Sequence, residues 1–116
     1  MVHILDEIHV PALHLPELLA RLDTMYLPGC SARGLQPLQR WVSPPVSIEG
    51  VTPRLWLLWQ VADVAAYYGM RLGQDAHVVA FWQHVDGLCT QRARHILGAL
   101  PPSTQPQPIA EAAHAL

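Results

Sequence analysis

Three short segments of the chain have the pattern of polar and apolar positions that is typical of β-strands. Residues 2–10 alternate, so one set of side chains, apolar except for Asp6, is expected to face helices while the other set is more polar. Residues 55–61 are apolar at both alternations, which is typical of a strand covered on both faces. Because 116 residues with few helices cover only one face of a small sheet, we expect another copy of the protein to cover the second.

Helical periodicity and capping residues place the other elements. A helix is predicted to begin near Pro16 and to end, or be interrupted, at Pro28-Gly29. Residues 38–43 are predicted to form a second strand. A long hairpin loop with prolines at its edges joins it to the third strand, residues 55–61. Asp63 opens a short helix followed by a break, and Asp75 is expected to cap the next helix.

That next helix is the longest predicted element. A buried stripe is expected at Val78, Trp82, Val85 and Cys89, beside a second stripe at His77, Phe81, His84, Leu88, Gln91 and His95. Periodicity leaves two outcomes open for residues 95–100, the end of this helix or a short edge strand. Residues 1–100 are predicted to form one domain, and residues 101–116 a flexible tail that is rich in Pro and Gln, with at most a helical turn over 109–116.

Composition and charge exclude several partners and mechanisms. The chain is 51% hydrophobic and 14% charged, with a net charge of -2 and no run of like charges, so neither a nucleic acid nor a membrane is expected as a partner. All seven cationic side chains are arginines, which excludes Schiff-base chemistry and a lysine base. Cys30 and Cys89 lack the spacing of a zinc or redox motif and are expected to be reduced. Without a signal or membrane-spanning pattern, a cytoplasmic protein is expected.

The order strand, helix, strand, strand, helix, with a possible fourth strand, resembles the ferredoxin-like subunit of the dimeric α/β barrel proteins. Within that group the chain is most similar to the NIPSNAP-type family. The likeness lies in the strand over 4–10, Tyr26-Leu27-Pro28-Gly29, the strand ending in Trp41, the tryptophan-rich third strand, residues 63–68 and Phe81-Trp82. It covers roughly the first hundred residues.

The resemblance implies an α+β fold of the β-α-β-β-α(-β) type, with an antiparallel sheet and helices on one face. It also implies a homodimer whose sheets close into a barrel, with a small-molecule cleft between sheet and helices in each subunit. Related barrels include cofactor-free cyclases, lyases, isomerases and monooxygenases, heme-degrading enzymes and proteins without known activity, so the fold leaves the reaction open. The resemblance carries no catalytic signature.

Seven histidines are the main candidates for chemistry. None is grouped as a local metal motif, and neither a metal nor a cofactor is expected. Glu7 and His9 share a strand face, where the carboxylate can orient the imidazole as a general base. The alternative is that both are dimer-interface or rim residues that hydrogen bonds hold in place. His84 is a second candidate base, with Tyr68 as an acid, or a histidine without a catalytic role on an exposed helix.

Large aromatic side chains and one unusual carboxylate complete the candidates. Trp41, Trp59, Trp82 and Tyr67 offer flat surfaces for an aromatic or polycyclic ligand, or else anchor the core and the interface. Asp6 lies among isoleucines on the helix-facing side of its strand. If it is buried it must be hydrogen-bonded, either as an acid or as a structural link to Arg21 or Arg92.

Two functions fit these features. The first is a homodimeric, cofactor-free enzyme that acts on a hydrophobic, aromatic or polycyclic metabolite by proton transfer, as a cyclase, isomerase or lyase does. The second is a non-catalytic NIPSNAP-like binding or accessory protein, which the absence of a dense acid, base or nucleophile cluster favours.

Overall fold

Four antiparallel strands form a single sheet in the structure, a computed structural model that describes residues 1–73 and 75–102. The strands are β1 (Val2–His9), β2 (Gln36–Ser43), β3 (Arg54–Val61) and β4 (Gln91–Gly98). Their order across the sheet is β2-β3-β1-β4, so the two most apolar strands lie in the centre. The predicted α+β, ferredoxin-like fold is confirmed, and the fourth strand forms.

Three α-helices pack on one face of this sheet. They are α1 (Leu15–Arg21), α2 (Val64–Leu72) and α3 (Ala76–Leu88), and α1 continues as a π-helical stretch, Leu22–Tyr26. Asp63 and Asp75 cap α2 and α3 as expected, because their carboxylates accept hydrogen bonds from the backbone N–H groups of the third residues beyond them, at 2.7 Å and 3.0 Å. The predicted break between the two helices is therefore confirmed.

The end of α3 differs from the sequence prediction. The helix ends at Leu88, and Gln91 and His95, which were expected on a helical stripe, belong to β4. Thr90 forms the link, since its backbone N–H and its hydroxyl both donate to the His9 carbonyl, at 2.8 Å and 3.2 Å. A spacing of four residues puts two side chains on one face of a helix and also on one face of a strand. The pattern alone could not separate these outcomes.

The hydrophobic core lies between the helices and one face of the sheet. Tyr26 is at its centre, with ring centroids 5.2 Å from Trp59, 4.8 Å from Phe81 and 5.6 Å from Trp82. Around this aromatic cluster pack Ile4, Ile8, Leu18, Leu22, Leu57, Val61 and Val85, all of them buried. On β3 the alternate residues Leu55, Leu57, Trp59 and Val61 are the buried ones. The core thus contains the side chains from one face of β3, although β3 is apolar on both faces.

The other side of the sheet, here called the open face, is not covered by a helix among residues 1–73 and 75–102. Cross-strand pairing assigns to it His3, Leu5, Glu7, His9, Gln36, Gln39, Trp41, Ser43, Arg54, Trp56, Leu58, Gln60, Gln91, Ala93, His95 and Leu97. Trp41 is 48% exposed and Leu97 43% exposed, whereas Leu5, Trp56 and Leu58 are half-buried by their neighbours. A broad, partly apolar surface is therefore left beside polar side chains.

Two further sequence predictions concern membranes and the tail. None of the helices in the described ranges is long and apolar enough to cross a membrane. The predicted flexible tail begins at residue 101, and most of it, residues 103–116, lies outside the described residues.

Candidate functional site

A charged cluster lies on the open face around the carboxylate of Glu7. Oε2 of Glu7 is 2.9 Å from Nε2 of His9 and 3.6 Å from Nη1 of Arg54, and Oε1 is 3.3 Å from Nε2 of His95. The side chains of Glu7 and His9 are only 18% and 17% exposed. The hydrogen bond with His9, followed by that with His95, lowers the pKa of Glu7 against the raising effect of burial. The carboxylate is therefore held ionised.

This cluster has the geometry of an oriented imidazole. An ionised carboxylate can only accept hydrogen bonds, so Nε2 of His9 donates, and in the neutral ring Nδ1 is then the acceptor. Trp56 pairs directly with Glu7 across the strands, and Trp41 pairs with Trp56. An oriented imidazole and two indole side chains thus share the open face.

A buried ion pair lies on the opposite, helix-facing side of the sheet. Asp6 is 2% exposed and accepts two hydrogen bonds from Arg94, from Nε at 2.8 Å and from Nη2 at 2.9 Å. It also accepts one from the indole N–H of Trp59 at 2.9 Å. The sequence-based suggestion of Arg21 or Arg92 as the partner is wrong, because the β1–β4 register puts Arg94 opposite Asp6. With three donors around it, Asp6 forms a structural link.

The charge of Arg94 is fixed by the same contact. Burial alone lowers the pKa of Arg94, but the hydrogen bonds and the negative charge of Asp6 outweigh that effect and hold this pKa above its usual range. The guanidinium also lies near the indole of Trp82, with its central carbon 5.2 Å from the ring centroid.

A cleft of about 540 Å³ opens between α2, α3 and β4, on the helix-facing side of the sheet. We call it the arginine cleft. Its lining residues are Tyr67, Arg71, Val79, Trp82, Gln83, Asp86, Arg92, Arg94 and Ile96. Arg92 stacks on Trp82 at 4.6 Å and is paired with Asp86, from Nε to Oδ1 at 2.6 Å and from Nη2 to Oδ2 at 3.3 Å. The cleft thus combines aromatic walls with guanidinium groups.

The acid and base candidates from the sequence do not converge on one site. Glu7 and His9 lie on the open face. His84 is exposed on α3 and borders a shallow hollow beside Leu88. Tyr68 is 58% exposed on α2 and makes an edge contact with Tyr67 at 5.4 Å between ring centroids. Their catalytic roles remain predictions.

The aromatic ligand candidates are divided in the same way. Tyr67 and Trp82 line the arginine cleft, and Trp41 stands on the open face. Trp59 is 2% exposed and belongs to the core, where it also borders an apolar pocket of about 330 Å³ next to β2. Their ligand roles stay predictions as well.

Four site residues were missed by the sequence reasoning, or given no such role. His95 and Arg54 join the Glu7 cluster, and Arg71 and Arg94 line the arginine cleft. Had a strand been predicted over residues 91–98, Arg92 and Arg94 would have been placed together on one face. That face is the one that also holds Asp6. Within the ranges 1–73 and 75–102, no group of three or more His, Cys, Asp or Glu side chains could hold a metal ion.

Comparison with known proteins supports the fold. No protein-family model matches the chain, and no curated protein matches its sequence. A NIPSNAP domain protein from Burkholderia xenovorans is similar in structure with a TM-score of 0.65 and 17% identity, over 92% of this chain and 100% of that one. A NIPSNAP family protein from Agrobacterium tumefaciens has a TM-score of 0.66 and 16% identity, over 90% and 96%.

An antibiotic biosynthesis monooxygenase is also similar, with a TM-score of 0.62 and 11% identity over 87% of this chain and 100% of that one. At such low identities the likeness concerns the fold. The chain therefore has the ferredoxin-like α+β fold of NIPSNAP family proteins and of antibiotic biosynthesis monooxygenases, and at the level of fold the resemblance found in the sequence is confirmed.

Proposed function

We propose that this chain is a homodimeric protein that binds a hydrophobic or aromatic small molecule. The observation that carries the proposal is the arginine cleft, whose volume of about 540 Å³ suits a small organic ligand. Tyr67 and Trp82 supply its aromatic walls, and a few polar groups converge on it from β4. It lies between sheet and helices, where the resemblance to dimeric α/β barrels implies a ligand.

The open face supports the homodimer. Trp41 and Leu97 are exposed there beside the half-buried Leu5, Trp56 and Leu58, a combination that water solvates poorly. A second copy placing its own open face against this one would cover both by the same contacts, which is the usual symmetry of a dimer. The sheets would then enclose the Glu7 cluster.

Native mass spectrometry tests the dimer. The expected result is a dimer for the natural chain and a monomer for Leu58→Glu, because a carboxylate would be buried in the interface. Leu13→Glu is the matched control, since Leu13 is 84% exposed and lies in the helical turn Ala12–His14 outside the sheet strands. A natural chain that stays monomeric at tens of micromolar concentration would overturn this part of the proposal.

A second candidate function, cofactor-free proton transfer, is favoured by the 2.9 Å contact between His9 and Glu7. The carboxylate fixes the imidazole tautomer, and Nδ1 of His9 can accept a proton from a carbon acid. Trp41 and Trp56 give an aromatic or polycyclic substrate a flat surface beside it. Dimerisation would exclude bulk water from this site and strengthen the electrostatic interactions within it.

Deuterium uptake tests the second candidate. A panel of enolisable aryl ketones such as 1-tetralone is incubated with the protein in D₂O, and incorporation next to the carbonyl is measured by mass spectrometry. We expect uptake above the buffer rate that His9→Gln abolishes and Glu7→Gln reduces at least roughly tenfold. His77→Gln, an exposed histidine of α3, is the control.

The same experiment separates the alternatives. Loss of uptake in His84→Gln instead of His9→Gln would assign the base to α3. Binding of ketones without any uptake would favour the non-catalytic, NIPSNAP-like binding or accessory protein.

A further inference from the structure

We infer that the ligand of the arginine cleft is an organic acid, a small molecule with a flat apolar body and a carboxylate head. The inference rests on the proposed binding function and specifies the class of molecule. Its basis is the set of three arginines, Arg71 from α2 and Arg92 and Arg94 from β4, that line the cleft together with Trp82.

The charges in and around the cleft do not balance. Arg92 is paired with Asp86, and Arg94 with Asp6 beneath it. Arg71, in the last turn of α2, has no ion pair within the part of the chain that the structure describes. Three positive and two negative charges leave one positive charge over, and a ligand carboxylate would neutralise it.

Hydrogen-bond donors are also left over. Arg92 uses Nε and Nη2 on Asp86, so its Nη1 is not engaged by that carboxylate. Arg71 is an exposed residue and lines the same cleft. Guanidinium groups present donors in a plane and match the two oxygens of a carboxylate, which makes this head group a better fit than a neutral amide or alcohol.

The remaining lining explains the apolar body. Tyr67 and Trp82 form aromatic walls, and Val79 and Ile96 line the cleft while remaining 43% and 45% exposed. Covering these side chains would remove apolar surface from water at the same time as the carboxylate meets the arginines. The cleft therefore suits an amphipathic molecule better than a small inorganic anion.

Two probes of the same shape test the inference. 2-Naphthoate carries the carboxylate, and 2-naphthamide replaces it with a neutral amide. Each is titrated into the isotope-labelled protein, and backbone amide shifts are followed by NMR. We expect 2-naphthoate to bind roughly tenfold more tightly, with the largest shifts in α2, α3 and β4, because a charged hydrogen bond is stronger than a neutral one.

Arg71→Gln should remove most of that preference, because it should weaken the binding of 2-naphthoate much more than the binding of 2-naphthamide. Arg21→Gln, in the last turn of α1, is the matched control and should retain the preference. Equal affinities of the natural chain for both probes, or an undiminished preference in Arg71→Gln, would overturn the inference that the ligand is an organic acid. The proposal that the cleft binds a small molecule would still stand. Failure of both probes to bind would overturn the proposed cleft function together with the inference.

Discussion

Asp6 and Arg94 face each other across neighbouring strands and are joined by two hydrogen bonds, at 2.8 Å and 2.9 Å, on the buried side of the sheet. The pair connects a central strand to an edge strand that pairs with no other strand in the sheet. Arg94 also lines the arginine cleft, so the position of this cleft wall depends on Asp6. Arg94 therefore belongs both to the structural link with Asp6 and to the candidate ligand site.

Removing one partner of this pair should destabilise the protein strongly. Arg94→Met leaves the carboxylate of Asp6 with the indole N–H of Trp59 as its remaining side-chain donor. Loss of one partner from a buried pair costs about 3 kcal/mol, and we expect the free energy of unfolding in urea to fall by about that amount.

The double variant Asp6→Leu with Arg94→Met provides the control. It removes both charges, so it should be more stable than Arg94→Met alone. A loss below about 1 kcal/mol in Arg94→Met would show that the pair is effectively solvated.

The pair also shows where sequence reasoning stops. The fold follows from local patterns, since β1 alternates, β3 is apolar throughout its buried side and Asp63 and Asp75 cap helices. The partner of Asp6 depends instead on where β4 begins and on its register with β1. A periodic pattern predicts neither the start of β4 nor its register, because the four-residue spacing of Gln91 and His95 suits a helix as well as a strand.

The Glu7 cluster likewise contains residues that the sequence could group and one that it could not. Glu7 and His9 could be grouped from the sequence, because side chains two residues apart on a strand point the same way. His95 is 88 residues away from Glu7 in the chain and reaches it only through sheet pairing. Residues that meet through register or tertiary packing need the structure to bring them together.

The cap of α2 gives a local prediction. The carboxylate of Asp63 accepts a hydrogen bond from the backbone N–H of Ala66 at 2.7 Å. Asp63→Ala leaves that donor without its partner, and we expect a loss of about 1 kcal/mol in the free energy of unfolding, measured by urea denaturation. Asp63→Ser keeps a capping oxygen and should retain most of the stability. Equal losses in the two variants would show that the cap does not stabilise the helix.

Two glycines should respond to alanine in opposite directions. Gly34 has φ +72°, a left-handed conformation that is unfavourable for alanine, so Gly34→Ala should lower the melting temperature although no atom lies within 4 Å of the added carbon. Gly69 lies inside α2 with open space around it, and Gly69→Ala should stabilise the protein by about 0.5–1 kcal/mol. Calorimetry measures both. A melting temperature that rises in Gly34→Ala would contradict the assigned backbone conformation.

The Glu7 cluster makes stability depend on pH. The hydrogen bonds with His9 and His95 hold the pKa of Glu7 below its ordinary value, so the folded state binds this proton less tightly than the unfolded state does. The stabilisation is therefore complete above the unfolded value of about 4.3 and is lost as the pH falls through the lower folded value. Relative to Glu7→Gln, the natural chain should lose its advantage in unfolding free energy over that acidic range.

NMR titration of the side-chain carboxyl of Glu7 checks the cause directly. The pKa of Glu7 should lie below the ordinary value in the natural chain and rise in His9→Leu, since leucine cannot donate a hydrogen bond and that variant removes the largest lowering interaction. Glu49→Gln, in the exposed hairpin loop, is the matched control and should leave the titration of Glu7 unchanged. A Glu7 pKa that does not move in His9→Leu would mean that the 2.9 Å contact does not persist in solution, and the oriented base proposed for proton transfer would be lost with it.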